Sequence, residues 1–307
     1  MKILFLGSSR FSKLVLESMI ENQLDIVGII TNPDREMGRG HKLQANEVKQ
    51  FALEKNIKVL CSNKIKDDLE EIKNIDFDVS VVASFGQILP KEFLDYRLCL
   101  NVHPSKLPLY RGASPIQNAI LNGDEKTAVT IMKVGEKVDS GDIALQKEVD
   151  IIKNEKYSSL EARLAKIGGD MVKQAIDLKI KNKLCFYKQN DLQATYVKKF
   201  KKEDGFLDFK SNKQEIINKF RALAETLGTY VFYKQLKIKI YEIAEYQLQN
   251  IFLKSGEILD DKKHFVIGCN DGAIEILSCL SPSGKRMTGT DFLNGFHPQG
   301  EFINELC

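Results

Sequence analysis

A pair of polar side chains near position 100 could act together on a substrate. Asn101 and His103 alternate with apolar Leu100 and Val102, which is the period of a β-strand, so both polar side chains emerge on one face and can converge on one substrate atom. Residues 104–115 are polar and contain Pro and Gly, a composition typical of a shaped loop. A histidine at a strand end is often only a structural hydrogen-bonding residue, and this alternative stays open.

A carboxylate that could partner the histidine lies in a second turn. Residues 137–142 read Lys-Val-Asp-Ser-Gly-Asp and follow a run with period-two alternation at 127–134. Both turns then lie at the same edge of a sheet, which places Asp139 within reach of His103. Asp142 is the rival carboxylate, and an aspartate in a turn often does no more than cap it.

Other chemistries find little support in the sequence. Gly7 is followed by Ser8 and Ser9 after the first apolar run, whereas a dinucleotide-binding turn needs three spaced glycines. The cysteines have no paired spacing that would indicate a disulfide framework or a zinc site, so we expect buried free thiols and no metal. They are Cys61, Cys99, Cys185, Cys269, Cys279 and Cys307.

The elements that must position these residues alternate along the first 190 positions. Apolar runs typical of strands lie at residues 2–6, 25–31, 58–61, 78–84, 98–102 and 127–134, and helical periodicity at 11–20, 46–54, 116–122 and 158–179. This alternation predicts an α/β domain with a doubly wound, mainly parallel, Rossmann-like sheet. Ligands bind beyond the carboxyl ends of the strands in such sheets.

The sequence changes character after residue 204. One predicted helix at 213–227 is followed by short β-type runs at 231–232, 236–243, 257–259, 264–269 and 273–280, separated by Gly, Asp and Asn. This pattern predicts a small β-barrel. We therefore expect a domain at 1–190, a basic linker at 191–204 and a second domain at 205–307, since 307 residues are too many for one typical domain.

Charge and hydropathy limit the partners. The net charge of +3 identifies none, but four lysines cluster in the predicted linker, namely Lys198, Lys199, Lys201 and Lys202. Such a run is usually a solvated spacer, and contact with nucleic acid is the alternative. No apolar run reaches the roughly 18 residues that cross a bilayer, and the first residues lack a signal-peptide pattern, so we expect a cytoplasmic protein with no membrane partner.

Several motifs together resemble the formyltetrahydrofolate-dependent formyltransferases, and within that family its tRNA-specific members. The matching segments are Asn-Val-His at 101–103, Ser-Lys-Leu-Pro-Leu-Tyr-Arg-Gly at 105–112, Ala-Ser-Pro-Ile-Gln at 113–117, Thr-Ile-Met at 130–132 and Val-Asp-Ser-Gly-Asp at 138–142. Thr-Asn-Pro-Asp-Arg at 31–35 with Gly-Arg-Gly at 38–40 is similar to the loop that enters the tRNA acceptor end. The chain departs from the family at Ser8-Ser9, where Thr-Pro is usual, and at 224–228, where a Pro-Trp-Pro segment is usual.

The resemblance implies a function and a set of site residues. It implies a catalytic trio of Asn101, His103 and Asp139, with two of them donating to the oxygen of a tetrahedral centre and the aspartate orienting the imidazole. The second domain would resemble an OB-like barrel that binds tRNA, and the enzyme would be a monomer that moves the formyl group of 10-formyltetrahydrofolate to the amino group of initiator Met-tRNA. Implied folate contacts are Phe85, Gly86, Gln87, Ile88, Leu89, Ser105, Lys106, Leu107 and Pro108. Implied tRNA contacts are Arg35, Arg39, Lys42, Lys198, Lys199, Lys201 and Lys202.

Three rival functions remain at this stage. A relative that formylates an amino sugar nucleotide would share both domains, although the 35–42 loop and the lysine cluster favour RNA. A formyl-folate hydrolase would carry an extra regulatory domain ahead of the first strand, where this sequence begins. A noncatalytic RNA-binding protein would have no need for the trio.

Overall fold

The chain forms two compact units in a computed structural model that describes residues 1–37, 42–248 and 252–304. The first unit comprises Met1–Ile116, Glu125–Ile151 and Ser158–Lys198. The second comprises Gln117–Asp124, Ile152–Tyr157 and Lys199–Cys307.

The first unit is built on a seven-stranded mixed sheet with helices. Seven of the unit's described strands form this sheet, and β3 with β4 and β8 with β11 form two short pairs. The strands are β1 (Lys2–Gly7), β2 (Asp25–Thr31), β3 (Arg35–Met37), β4 (Lys42–Gln44), β5 (Val59–Cys61), β6 (Val79–Ala83), β7 (Leu98–His103), β8 (Arg111–Gly112), β9 (Lys126–Lys133), β10 (Ile143–Asp150) and β11 (Tyr196–Val197). Its helices are α1 (Arg10–Glu21), α2 (Glu47–Glu54), α3 (Leu69–Lys73), α4 (Lys91–Leu94) and α6 (Tyr157–Ile180), whereas most of α5 (Pro115–Leu121) is assigned to the second unit.

The sheet order is β10-β9-β7-β6-β1-β2-β5. Strands β5, β2, β1, β6 and β7 run parallel, whereas β9 is antiparallel to β7 and β10 is antiparallel to β9. The predicted doubly wound, mainly parallel sheet is thus confirmed. Strand β10 was not predicted, because it is an edge strand with a Gln-Lys-Glu stretch and few buried residues, so it lacks the apolar signal of a central strand.

Close packing fixes β7, the strand that carries Asn101 and His103. A Cβ added at Gly168 of α6 would lie 2.6 Å from Val102 Cγ1, and one at Gly169 would lie 2.3 Å from Ser18 Oγ. Contacts this short exclude any side chain at either position. Helix α6 therefore lies directly against β7 and α1, and its glycines set the depth of the strand.

The segment that we predicted to be a linker is ordered over much of its length. It contains 3-10 turns at Asp191–Gln193 and Lys202–Gly205, with β11 between them. Because β11 pairs in parallel with β8, at Arg111↔Tyr196 and Gly112↔Val197, the first unit extends to Lys198, past the predicted limit at residue 190.

The second unit is an antiparallel β domain with two helices on a common core. Its elements are α7 (Lys213–Leu223), β12 (Thr229–Tyr233), β13 (Leu236–Tyr246), β14 (Val266–Cys269), β15 (Gly272–Leu280), β16 (Arg286–Thr288) and α8 (Gly289–Phe296). The strand order is β12-β13-β15-β14, with β16 paired to β15. The core includes Ile238, Ile240, Phe265, Ile276 and Phe292.

The second domain, predicted as a small OB-like β-barrel, is observed as an antiparallel sheet domain, with local differences. The helix predicted at 213–227 ends at Leu223, and residues 257–259 form only isolated bridges with Phe302 and Ile267. Helix α8 was not predicted, because its eight residues include two glycines, which are weak helix formers. No helix among the described residues is long and apolar enough to span a membrane.

The cysteines correct one expectation. Cys99, Cys269 and Cys279 are buried free thiols, but Cys61 and Cys185 are exposed; Cys307 lies outside the described residues. Cys61 ends the short edge strand β5, and Cys185 follows the last turn of α6, so neither position is covered by a neighbouring element. Burial raises the pKa of Cys99 to about 12 and that of Cys279 to about 11.

We predict that two cysteines react rapidly in a Cys307→Ala variant. Ellman's reagent should modify Cys61 and Cys185 in the native protein, because thiols that are buried and held protonated react slowly. The absorbance of the released thiolate measures the number of reacted groups, and guanidinium should then release the three buried thiols. A third rapidly reacting thiol in the native protein would contradict the assigned burial.

Candidate active site

Asn101 and His103 reach the carboxyl edge of the sheet from the end of β7. Strand β7 pairs with β6 on one side, at Val82↔Asn101, and with β9 on the other, at His103↔Thr130. The His103 side chain is 5% exposed and Asn101 is half-buried. The predicted placement of both side chains on one face of the strand is what brings them to a common partner.

That common partner is Asp139, which the turn after β9 presents to both residues. The expectation that this turn follows a strand ending at the same edge as β7 is wrong, because β9 runs antiparallel to β7 and the turn reaches that edge only by folding back. Asn101 Nδ2 donates to Asp139 Oδ1 at 3.4 Å, and His103 Nδ1 lies 3.6 Å from Asp139 Oδ2. The backbone N–H of Gly112 donates to the same Oδ2 at 2.8 Å. The rival, Asp142, uses its backbone carbonyl to accept from the Lys133 N–H, and no described ion pair or hydrogen bond joins its carboxylate to the trio.

The proton arrangement on His103 follows from its neighbours. Nε2 lies 3.0 Å from the carbonyl oxygen of Tyr110, and a carbonyl can only accept, so Nε2 carries a proton. Nδ1 faces the Asp139 carboxylate beyond hydrogen-bonding distance. The ring is therefore anchored at Nε2, and Nδ1 is the nitrogen available for proton exchange.

Residues of β9 and β10 contact the loop after β7 and hold it in place. The Ser105 hydroxyl is buried and donates to Leu109 O at 2.6 Å, and Leu107 is buried against Met132 and Ile143. Gln146 Nε2 donates to Leu107 O at 3.0 Å. The side chains of Ser105 and Leu107 thus shape the loop from inside.

The two remaining members of the predicted folate set in this loop lie further out. Lys106 is exposed and forms an ion pair with Glu148, and Pro108 is half-buried, with its carbonyl accepting from the Thr195 N–H at 3.3 Å. Any contact of a ligand with this loop would therefore involve its outer backbone, Lys106 or Pro108.

The loop after β6 is held to its neighbours by side-chain amides. Gln87 Nε2 donates to Asn32 Oδ1 at 2.8 Å and to Ser62 O at 2.7 Å, while its Oε1 accepts from the Ile65 N–H at 3.2 Å. The Phe85 carbonyl accepts from Asn32 Nδ2 at 3.2 Å. These bonds tie the carboxyl ends of β2, β5 and β6 together, so the Gln87 side chain acts on the loop itself.

The outer surface of this loop is open backbone. Gly86 has φ +77 with nothing within 4 Å of an added Cβ, and Ile88 is 89% exposed, whereas Phe85 is buried and Leu89 is half-buried. Among the described residues, the backbone N–H groups of Gly86, Gln87 and Ile88 donate to no protein group. Such a run of donors without a protein acceptor fits the edge of a polar heterocycle.

Two residues that we did not single out from sequence complete the site's scaffold. Arg111 is 1% exposed, and its guanidinium donates to Gln189 Oε1, Asp191 Oδ1 and Tyr196 Oη at 2.6–3.1 Å. Burial acts to lower the pKa of this guanidinium, but the bonds to Asp191 and Tyr196 outweigh it and hold the pKa above its ordinary value. A buried arginine carries no sequence signal beyond its polar neighbours, and Gln189 carries none.

The predicted tRNA contacts are placed in part. Arg35 is exposed on β3, which pairs with β4 at Arg35↔Gln44, and the backbone of Lys42 belongs to β4. Arg39 lies outside the described residues. The four clustered lysines are all exposed: Lys198, Lys199, Lys201 and Lys202.

Within the described part of the chain, no group of three or more His, Cys, Asp and Glu side chains could hold a metal ion.

Comparison with known proteins assigns the chain to a family. The formyl transferase model matches residues 1–176, and the model of the formyl transferase C-terminal domain matches residues 199–297. A relative from Sulfurihydrogenibium sp. (strain YO3AOP1), named methionyl-tRNA formyltransferase, is 36% identical over 96% of this chain and 97% of its own length. A relative of the same name from Caldanaerobacter subterraneus subsp. tengcongensis is 34% identical over 99% of this chain and 100% of its own.

Solved structures share the fold at low identity. Methionyl-tRNA formyltransferase from Clostridium thermocellum superposes with a TM-score of 0.57, at 21% identity, over 81% of this chain and 94% of that one. The N-formyltransferase from Helicobacter canadensis, in complex with folinic acid and dTDP-3-aminofucose, gives 0.67 at 22% identity over 90% and 98%. HypX from Aquifex aeolicus, in complex with tetrahydrofolic acid, gives 0.68 at 16% identity over 99% of this chain, which spans 50% of that chain.

The chain is an α/β domain followed by an antiparallel β domain, and the two matched family models place it among the transferases. The chain belongs to the formyl transferase family. The family resemblance that we inferred from its motifs is confirmed.

We predict that Gly112→Ala destabilises the first unit. Gly112 has φ +116, and an added Cβ would lie 2.2 Å from the carbonyl oxygen of Val197, so the β8–β11 pairing must open. The free energy of unfolding in urea should fall by about 2 kcal/mol or more.

Gly86→Ala is the matched control for stability. It imposes a left-handed φ of +77 without any clash, so its cost should stay near about 1 kcal/mol. Equal losses in both variants would show that conformational strain alone, and not the contact with Val197, makes glycine necessary at position 112.

Proposed function

We propose that this enzyme transfers the formyl group of 10-formyltetrahydrofolate to the α-amino group of methionine on initiator Met-tRNA. The observation that carries the proposal is the meeting of Asn101, His103 and Asp139 at the carboxyl edge of a formyl transferase sheet. Relatives at 34–36% identity over nearly the whole chain are named for this activity, which favours tRNA over an amino sugar nucleotide as acceptor.

The residues of the trio have distinct roles in the proposed reaction. The folate supplies the formyl group. Asn101 Nδ2 donates to the oxygen on which negative charge develops, where a preorganised donor in a water-poor site is most effective. His103 Nδ1 takes the proton that the attacking amine releases as its bond to the formyl carbon forms, and passes it to the folate nitrogen as the bond from that nitrogen to the formyl carbon breaks, while Asp139 lies beside the ring. The anchored Nε2 keeps the ring in place throughout.

The folate would lie along the loops that follow β6 and β7. Its heterocycle would pair with the outward backbone donors at Gly86, Gln87 and Ile88, beside Phe85 and Leu89, and its remainder would lie along the outer surface of the Ser105, Lys106, Leu107 and Pro108 loop. The placement is supported by the donors that meet no protein acceptor among the described residues. Because the Gln87, Ser105 and Leu107 side chains are used internally, we propose that they shape this site and that backbone groups contact the ligand.

We predict that the trio controls turnover. Asn101→Ala should lower kcat by roughly 100- to 1,000-fold, the cost of one lost oxyanion donor, and His103→Ala and Asp139→Asn should be comparably severe. Initial rates with formyl-folate and Met-tRNA measure the effect, and circular dichroism checks that each variant is folded.

Asp142→Asn is the control for the choice of carboxylate. It makes the same chemical change three residues along, in a side chain that contacts no member of the trio among the described residues, and its kcat should stay near that of the parent. If Asp142→Asn were the severe variant and Asp139→Asn the mild one, the wrong carboxylate would have been assigned.

The second domain and the segment before it would bind the tRNA. The outer face of the second-unit sheet supports this role, because Lys239 and Arg286 belong to one cross-strand row, through Lys239↔Leu280↔Arg286. The Arg286 guanidinium lies 4.9 Å from the centre of the Tyr241 ring. Basic groups beside aromatic rings are typical of nucleic-acid surfaces. Lys198, Lys199, Lys201 and Lys202 would add phosphate contacts, and Arg35, Arg39 and Lys42 would meet the acceptor end.

The proposed site and substrate also bear on the oligomeric state and on the cellular location of the enzyme. The whole trio comes from one chain, which supports a monomer as the active form. Because tRNA is charged and used in the cytoplasm, we propose that the enzyme acts there.

We predict that alanine at Lys198, Lys199, Lys201 and Lys202 weakens tRNA binding and flattens its salt dependence. Each lost phosphate contact should reduce the slope of log K against log salt by roughly 0.9. Fluorescence titration with Met-tRNA at several KCl concentrations gives the slope. Arg39→Ala in the same titration should weaken tRNA binding, and neither variant should change folate affinity.

Four other exposed lysines provide a control with the same change in net charge: Lys55, Lys58, Lys64 and Lys66. Their replacement by alanine should leave the salt slope unchanged. Equal slopes in the two quadruple variants would show that the clustered lysines are solvated spacers.

A further inference from the structure

Asp139 adopts a left-handed backbone conformation in the turn after β9. Its φ is +48, in the left-handed region that favours glycine, and a residue other than Gly is strained there unless its surroundings enforce the conformation. Two residues later, a Cβ at Gly141 would lie 1.7 Å from the Lys133 carbonyl oxygen, so this turn folds tightly onto the end of β9. Within the turn, the Ser140 hydroxyl donates to Lys137 O at 3.1 Å, and contacts from outside the turn add to this bond.

The Gln189 side chain supplies that contact. Its Nε2 donates to the carbonyl of Asp139 at 2.9 Å and to the carbonyl of Gly141 at 2.7 Å. One amide group thus bridges the backbone on both sides of Ser140. Both N–H groups of the amide are used, and both act on the turn that presents the carboxylate.

Arg111 fixes the orientation of this amide. The guanidinium Nε and Nη2 both donate to Gln189 Oε1, at 3.1 and 2.8 Å. A guanidinium can only donate and a carbonyl can only accept, so exchanging the oxygen and nitrogen of Gln189 would oppose like groups at both ends. The arrangement has one stable orientation.

Arg111 is itself held in place and reaches the carboxylate through its neighbour. It is fully buried, bonded to Asp191 and Tyr196 and paired through β8 with β11. The next residue, Gly112, donates its N–H to Asp139 Oδ2 at 2.8 Å. Two groups next to Arg111 therefore hold the Asp139 turn. Gln189 binds its backbone, and the Gly112 N–H binds its carboxylate.

We propose that Gln189, oriented by Arg111, is a positioning residue that holds Asp139 against His103 and Asn101. It touches no reacting atom and acts only through the Asp139 turn. Its importance for catalysis rests on the proposed function of the trio, whereas its effect on the Asp139 carboxylate can be measured in the protein without substrate.

The test variant is Gln189→Glu, which is nearly isosteric. A carboxylate keeps a favourable partner for the Arg111 guanidinium but places an acceptor against the carbonyls of Asp139 and Gly141, so the grip on the turn is lost while the buried arginine stays paired. Gln189→Met removes both contacts. Loss of folding in Gln189→Met would leave Gln189→Glu as the informative variant.

The primary readout is the amide signal of Gly112 in the free enzyme. The sequence contains two Arg-Gly pairs, at 39–40 and 111–112, so labelling with [1-13C]Arg and [15N]Gly isolates two amides, and Arg39→Lys identifies the second. In Gln189→Glu the Gly112 amide proton should move upfield and exchange with deuterium about tenfold faster or more, because it loses a hydrogen bond to a charged group. The kcat for formyl transfer should fall roughly 100-fold, with KM for the folate unchanged.

Gln146→Met is the matched control. Gln146 also donates two hydrogen bonds in the same unit, to Leu107 O and Thr130 Oγ1, so its replacement removes the same number of side-chain hydrogen bonds without touching the Asp139 turn. The Gly112 amide should therefore keep the chemical shift and the exchange rate that it has in the parent. The proposal is overturned if Gln189→Glu leaves the Gly112 amide unchanged, or if Gln146→Met moves it equally. A displaced Gly112 amide with no formyl transfer by the parent enzyme would support the positioning role and reject the proposed function.

Discussion

The site depends on how the carboxylate of Asp139 is held. Its two oxygens meet three groups from separate parts of the chain: Asn101 and His103 at the end of β7, and the backbone N–H of Gly112 in β8. The Asp139 side chain is 15% exposed, and a carboxylate largely removed from water is stable only when such partners replace its lost hydration. The conformations at β7, at the turn after β9 and at β8 must therefore all be correct before the trio exists.

The fold brings these parts together through backbone pairing. Strand β9 runs antiparallel to β7, with His103 opposite Thr130, so the turn that follows β9 begins near the amino end of β7 and must fold back toward its carboxyl end. Gly141 allows this, since no side chain fits between its Cα and the Lys133 carbonyl. Strand β11, far along the chain, then closes the arrangement by pairing with β8. Long-range pairing, with its cost in loop entropy, thus sets the geometry of the site.

The sequence predicted well those features whose signal is local. The alternation around Asn101 and His103 placed both side chains on one face, and the apolar runs predicted the parallel strands, because burial on both sheet faces leaves a continuous apolar pattern. Strand β10 escaped prediction because an edge strand buries little. The pairing of β8 with β11 could not be predicted, since two-residue strands separated by more than eighty positions have no periodicity to detect. Arg111 and Gln189 were missed for the same reason: their importance lies in contacts between distant segments.

The contrast between local signals and long-range contacts explains why the trio could be predicted from the sequence and the residues that position it could not. The side chains to which we assign the chemistry must be of particular types, so Asn, His and Asp at a strand end and a turn are recognisable. The groups that hold them can be backbone amides, as at Gly112, or a single amide side chain, as at Gln189, and many residue types could in principle provide equivalent donors. The buried Arg111 narrows the choice of residue that can provide these donors. Its donors require an acceptor at Gln189 Oε1, which leaves the amide nitrogen to meet the carbonyls of the Asp139 turn. In the arrangement that we propose, a charged group outside the trio thereby sets the direction in which the Asp139 carboxylate points.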